Sequence, residues 1–321
     1  MKKYQVAVFG SLIKDIEFFS DEVFVIENKK DLTRQKMFAF EYGAKLPIDK
    51  VYYNFGGGAG NVSFGLNKLG IKVAPVGCVG DDSDQMLENF KKNGIDVSLI
   101  LKNKKELTGF SFILGSKKFK DHVIFTHKGA SANFSYSQTL LTEFKADYFY
   151  VAAQSQKNWE VELKKVFNKA RKDASLIVWN PGQKQINRVS LMLPFLTQTE
   201  ILIVNKDEAI QLVMTFFGKS SKLNNVKFLT NKLKQLGPIA VVVTEGAGGA
   251  NLLDAAGKFY HLPAMGKNVV DTVGAGDAFG SGFLAGLIKY DHDAKKALDL
   301  GLKNSGAVVA KIGAQNGLLS K

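Results

Sequence analysis

Apolar residues in this chain follow two alternating rhythms. Short unbroken apolar runs at 4–9, 73–79, 147–152, 175–180, 200–204 and 239–244 read as strands buried on both faces. Between several of them the apolar positions recur at helical spacing with lysines interleaved. Trp159, Leu163, Val166 and Phe167 mark a helix over 159–173, and a similar pattern covers 222–236. This alternation predicts βαβ units and an α/β fold, with helices covering a mostly parallel sheet.

Two stretches break the rhythm. Residues 21–55 and 106–128 hold aromatic and β-branched residues in strand-like runs with charged connections, which predicts a small extra sheet beside the main core. Asn28 to Lys36, charged and without apolar period, is its expected exposed tip. No internal repeat, low-complexity tract or Pro/Ser-rich linker divides the chain. The expectation is one domain over 1–321, with a lid formed by approximately 15–55 and 106–128.

Composition narrows the function classes. Hydrophobic residues at 45% and charged residues at 23% are globular proportions. A single cysteine, Cys78, excludes an internal disulfide and a cysteine metal cluster. His122 and His127 fall five apart in an extended stretch, and His261 and His292 are isolated, so no zinc site is expected. Lys14 and Asp15 interrupt the apolar start, and no apolar run approaches the ~18 residues that cross a bilayer. The chain is expected to have no membrane role and to be cytoplasmic. A net charge of +13 raises the question of nucleic acid, but the lysines are scattered. The densest group, between Lys102 and Lys120, flanks turns and strand ends without a recognition motif, so no nucleic-acid partner is expected. A basic field of this kind still attracts anionic substrates.

The sharpest chemical signal is Asp271-Thr272-Val273-Gly274-Ala275-Gly276-Asp277, which runs into a small, apolar helical stretch from Gly280 to Leu287. Side-chain-poor residues 274–276 leave backbone N–H groups exposed at the positive end of a helix dipole, a cradle for phosphate. Asp277 in the first turn then stands where a carboxylate can take the proton of an attacking hydroxyl. A plain helix start, with Asp277 serving the dipole and the glycines serving close packing, is the structural alternative.

This stretch resembles the C-terminal signature of the ribokinase-like, or PfkB, carbohydrate kinase family. Gly56-Gly57-Gly58-Ala59-Gly60-Asn61-Val62-Ser63, followed by Gly70 and Gly80, is similar to the family's N-terminal signature. The resemblance implies a ribokinase-like three-layer sandwich with a β-sheet lid. It also implies ATP-dependent phosphorylation of a sugar or sugar derivative, with Asp277 as base and Gly274, Ala275 and Gly276 in the anion hole. Asp15, Gly57 and Asn61 are implied to hold substrate hydroxyls. Read from the residues alone, Asn61 would serve equally as a helix cap and Asp15 as a turn residue.

On the nucleotide side there is no Walker A sequence, because Val213 stands five positions before Gly218-Lys219-Ser220, and no Gly-x-Gly-x-x-Gly follows the first strand. Asn205-Lys206-Asp207-Glu208 is similar to the family's Asn-x-x-Glu element, which implies that Glu208 helps arrange Mg²⁺ through water. A capping box explains the same spacing. Thr244-Glu245-Gly246-Ala247-Gly248-Gly249 is similar to the loop beside ATP, implying contacts from Thr244, Gly246 and Gly249, while a hairpin turn into Asn251 is the bland reading. Lys311-Ile312-Gly313-Ala314 resembles the family's closing loop, with Asp271 opposite, and implies a K⁺ site there.

Two other functions fit the residues. The acceptor could be a nucleoside, adenosine-like, stacked on Phe38, Phe40, Tyr42, Tyr52 or Tyr53. A non-catalytic sugar or nucleotide sensor is the more distant reading, and an intact Asp277 speaks against it. Exposed lid-strand edges favour a homodimer through the lid.

Overall fold

Val6, Ala7, Val8 and Phe9 have no solvent exposure, which places the first strand, Lys2–Phe9, in the middle of a sheet covered on both faces. The computed structural model describes residues 1–28, 36–48, 50–116, 118, 119, 121–266 and 268–321. Most of the exposed tip expected over 28–36 lies outside them. The main sheet has nine strands, ordered Phe259–Leu262, Ala250–Leu253, Ala240–Thr244, Ile201–Asn205, Leu176–Trp179, Phe144–Val151, Lys2–Phe9, Val73–Gly80 and Ile100–Asn103. Neighbours from Ala240–Thr244 through to Ile100–Asn103 are parallel, and the other two strands add antiparallel at one edge. Each of the six strands expected from its apolar run is present.

Helices cover both faces. Trp159–Asp173, Lys206–Phe217 and Val226–Lys234 bury Leu163, Val166, Leu212 and Leu229 in one core layer. Gly58–Lys68, Ala275–Lys289 and Ala294–Val308 bury Val62, Leu66, Phe283 and Leu298 in the other. The helix expected over 159–173 has those bounds. The one expected over 222–236 is shorter, because the Asn225 side chain caps it by accepting the Phe228 amide at 3.0 Å. Among the described residues no helix is long and apolar enough to cross a membrane.

The irregular stretches form a second sheet of four strands, ordered Val51–Gly56, Ile13–Phe19, Thr108–Ser116 and Asp121–Gly129. Its central pair is parallel and its outer pairs antiparallel. It begins at residue 13, earlier than the sequence suggested. Phe24–Glu27 and Lys36–Ala39 do not join it. They pair with each other as a separate ribbon, with Phe24 and Ile26 facing solvent. Strand alternation gives the four-stranded sheet two unlike faces. Ile13, Asp15 and Glu17 are buried toward the main body, whereas Lys14, Ile16 and Phe18 are partly exposed on the other side. On that outer side Tyr53, Ile16, Phe112 and Phe125 lie opposite one another across all four strands.

Candidate active site

The inner face of the small sheet meets the carboxyl ends of the main strands, the customary rim for ligands in an open α/β sheet. A Cβ on Gly56 would fall 2.0 Å from Asp15 Oδ2 and 3.3 Å from Asn61 Oδ1, so the bare glycine lets these two side chains converge. Gly57 caps the helix Gly58–Lys68 with φ of 82°, and a Cβ there would lie 2.5 Å from the Ser11 carbonyl oxygen. Asn61 lies in the first turn, its amide donating to the Gly57 carbonyl at 2.9 Å, and its side chain does not cap the helix. Instead, Asn61 Nδ2 donates to Asp277 Oδ2 at 2.9 Å, across 216 residues of sequence. Asp15 is likewise no turn residue, since it sits within the strand Ile13–Phe19.

Asp277 opens the helix Ala275–Lys289, whose N-cap, Gly274, is left-handed with φ of 75°. A Cβ on Gly274 would meet Ala314 Cβ at 2.3 Å, so glycine is required by both backbone and packing. An added Cβ on Gly276 meets nothing within 4 Å, leaving open space over the helix start where an anion can dock. Of the amides expected to face the anion, that of Ala275 is already engaged, turning back to the Thr272 carbonyl at 3.2 Å. The small-residue face farther along has a different cause. Cβ atoms on Gly282 and Gly286 would come within 2.9 Å of the helix Ala294–Val308, so these two glycines serve helix packing. One on Gly280 would lie 2.1 Å from the Tyr150 hydroxyl, which is buried without a hydrogen-bond partner.

The site's electrostatics follow from burial. Desolvation pushes Asp277 up to about 6, against the opposing hydrogen bond from Asn61. Asp15 is raised to about 7, first by burial and further by the Asp277 charge, while the Ser111 hydroxyl and Lys128 pull the other way. A pair of carboxylates poised near neutrality in one crevice is suited to proton transfer.

Beside this pair lies a second one. Asp271 Oδ1 accepts from the Val273 amide at 2.9 Å and Oδ2 from the Gly313 amide at 2.8 Å, tying the motif to the closing loop. Glu17, only 1% exposed, has both carboxylate oxygens buried without a hydrogen-bond partner among the described residues. Burial and the neighbouring Asp271 charge hold its pKa well above the ordinary range. From the small-sheet strand Asp121–Gly129, His122 Nδ1 comes within 3.0 Å of Thr272 Oγ1.

On the nucleotide side, Asn205 Oδ1 accepts the Glu208 amide and Glu208 Oε2 accepts the Asn205 amide, each at 2.9 Å, a capping box on the helix Lys206–Phe217. Burial lifts Glu208 to about 7. Thr244, Gly246 and Gly249 sit in the hairpin that links Ala240–Thr244 to Ala250–Leu253. Lys206 reaches that hairpin through an ion pair with Glu245 at 3.0 Å. The two nucleotide-side motifs are thus adjacent, and both bland local readings hold as local structure.

Several participants were not singled out from the sequence. Gln315 Nε2 donates to Asn61 Oδ1 at 3.0 Å and also reaches the Phe55 carbonyl, completing a Gln315–Asn61–Asp277 chain. Ser111, Glu17 and Tyr150 were also missed. Buried polar residues at alternating positions of a strand could have flagged the first two. The aromatics considered for base stacking are packed on other rings or exposed: Tyr52 packs edge-on against Phe19, Phe38 tilts against Phe119, and Phe40, Tyr42 and Tyr53 are exposed.

The profile of the pfkB family carbohydrate kinases matches residues 5–321. This chain belongs to that family. It is 24% identical to an ATP-dependent 6-phosphofructokinase of Thermoanaerobacterium thermosaccharolyticum, over 98% of this chain and 90% of the relative. It is 27% identical to a nucleoside kinase of Methanocaldococcus jannaschii, over 85% and 84%. A ribokinase of Cryptococcus neoformans, solved in complex with ADP, superposes with a TM-score of 0.78 at 21% identity, covering 99% of this chain and 97% of that one. The three-layer fold with its small separate sheet is therefore that of the ribokinases. As a member of the pfkB family the protein is a sugar or nucleoside kinase, a phosphotransferase with an alcohol acceptor, and kinases of this family use ATP and Mg²⁺.

Proposed function

We propose that the protein phosphorylates a hydroxyl of a sugar or sugar derivative, with Asp277 as the general base. The observation behind this is the Asn61–Asp277 contact of 2.9 Å, which joins the two signature motifs at the mouth of a helix with an open glycine start. Asp15 and Asn61 grip acceptor hydroxyls, Gly57 lets the backbone approach, and Asp277 removes the proton from the attacking one. The amides of Gly274, Gly276 and Asp277, with the helix dipole behind them, stabilise charge gathering on the transferred phosphoryl group. The nucleotide lies along Asn205, Glu208, Thr244, Gly246 and Gly249.

Glu208 fits an Mg²⁺ held mainly by substrate phosphates and water. It keeps one carboxylate oxygen outside the capping box, burial raises its pKa, and no cluster of three or more acidic, His or Cys ligands occurs among the described residues. When bound, that ion neutralises phosphate charge. Asp271 with the unpartnered Glu17 beside it fits a monovalent cation such as K⁺, since two neighbouring buried carboxylates need a positive charge or a shared proton. The four-stranded sheet serves as a lid that shields the phosphoryl group from water.

The reading is tested by ADP release from MgATP with a panel of sugars, sugar acids, sugar phosphates and nucleosides. Acceptor-dependent release is expected with a sugar-type member. Best turnover on nucleosides would select the other branch of the family, and none with any member would leave a binding protein. We further place a second copy of the chain on the outer lid face, where Tyr53 is 78% and Phe125 58% exposed along the apolar row. Light scattering is expected to give twice the chain mass, and Tyr53→Glu to give the single-chain mass. A monomeric wild-type protein rejects that pairing.

A further inference from the structure

Beside Asp15, on the inner face of the small sheet, stands a cation that the reaction as described does not use. In the lid, Asp15 lies opposite Ser111, and Ser111 opposite Thr126. Lys128, two residues beyond Thr126, therefore shares their inward face. Gly109 lets the neighbouring backbones pack closely there, since a Cβ would lie 2.5 Å from the Lys128 carbonyl oxygen and 2.9 Å from Ile13 Cγ2. Lys128 makes no ion pair or hydrogen bond with any described residue, and the charges that act on it are Lys184 and Asp15. Lys184 approaches it from the main body. Its ammonium donates to the carbonyls of Ser155 at 2.9 Å and Gln156 at 2.8 Å, in the loop that follows the strand Phe144–Val151 at the crevice rim.

Arg188 and Lys157 are close enough to Lys184 to act on it, with Glu160 as the opposing charge. None of these four cations has an ion-pair partner among the described residues, whereas Lys14, Lys102 and Lys206 elsewhere on the molecule do. Lys128 is an exposed residue, but partial desolvation of its ammonium and the neighbouring Lys184 charge hold its pKa down. Four cations facing only Asp15 and Glu160 leave an excess of positive charge, which a bound anion relieves.

We infer that Lys128 and Lys184 form an anion subsite, so that the preferred acceptor is a sugar derivative bearing a phosphate or carboxylate remote from the hydroxyl that is phosphorylated. This rests on the kinase reading above. The order Asp277, Asp15, Lys128 sets the acceptor's direction: reacting hydroxyl at the helix start, middle hydroxyls on Asp15 and Asn61, anionic end under the lid strand.

The test compares fructose 6-phosphate with fructose and gluconate with glucose, by acceptor-dependent ADP release from MgATP. In at least one pair the charged member is expected to exceed the neutral one by about 100-fold in kcat/KM, the worth of a charge-assisted contact pair. The pair that shows it tells phosphate from carboxylate. In Lys128→Ala that ratio falls by about tenfold or more, through KM, and Lys128→Arg restores most of it. Thermal melting is used to confirm that both variants are folded. Neutral members equal to or better than charged ones, or a ratio unchanged in Lys128→Ala, overturns the subsite while leaving the kinase standing. Absence of acceptor-dependent ADP release with every compound overturns the kinase reading and the subsite together.

Discussion

Asp277→Asn is expected to bind ATP as the wild type does and to lose turnover by a factor on the order of 10² or more. The replacement is close to isosteric, and its amide oxygen can still accept from Asn61, so the Gln315–Asn61 chain and the helix start keep their shape. What disappears is the carboxylate in the first turn of the helix that takes the hydroxyl proton. Calorimetry reads the ATP affinity and acceptor-dependent ADP release reads turnover. The pH profile supplies a second signature. Burial places Asp277 at about 6, and a base acts only when deprotonated. Wild-type turnover therefore climbs with pH through about 6 and levels above it, while in Asp277→Asn that limb is gone. A variant that turns over within a fewfold of wild type would remove Asp277 from the role of base.

Glu17→Gln is expected to make the protein more stable at pH 8.5, by on the order of 1–3 kcal/mol, and to change it little at pH 5. Glu17 is buried, lacks a hydrogen-bond partner and faces the charge of Asp271, so its folded pKa is raised above its ordinary value of 4.5. The sign is set by proton uptake. The folded state holds the Glu17 proton more tightly than the unfolded one, so no penalty exists below the ordinary value. The cost grows as pH rises toward the folded value and is complete above it. A neutral amide carries no such cost. A monovalent cation lodged between Glu17 and Asp271 would offset the same penalty, since a ligand of the folded state alone stabilises it. At pH 8.5, K⁺ should then raise the wild-type melting temperature over tetramethylammonium at equal ionic strength, and the rise should vanish in Glu17→Gln. Equal melting in both salts argues against a cation at Asp271. A Gln variant less stable than wild type at pH 8.5 argues against an uncompensated carboxylate.

Much of the fold was legible because parallel strands buried on both faces leave continuous apolar runs, and covering helices leave a 3.6-residue period. The Lys2–Phe9 and Ala240–Thr244 strands and the helix Trp159–Asp173 were visible in that way. The short edge strands Ile100–Asn103 and Phe259–Leu262 were not, since a half-exposed strand of four residues leaves too little pattern. The small separate sheet was recognised as sheet but not in detail. The partners of its strands come from separate parts of the chain, and the ribbon Phe24–Glu27 with Lys36–Ala39 looked locally like any other strand pair.

The same division runs through the site. Residues from Asp271 to Asp277 and from Gly56 to Asn61 are contiguous, so the chain order alone brings out a glycine-rich helix start with a carboxylate in its first turn. That these motifs touch, that Gln315 steadies Asn61, that Glu17 lies beside Asp271 and that Lys128 turns inward beyond Asp15 were decided by tertiary structure. Each of these depends on strand register or on loop closure between segments up to 254 residues apart. A one-residue slip would turn Asp15, Glu17 and Lys128 to the outer face, and no local pattern of side chains determines against such a slip until the strands have paired.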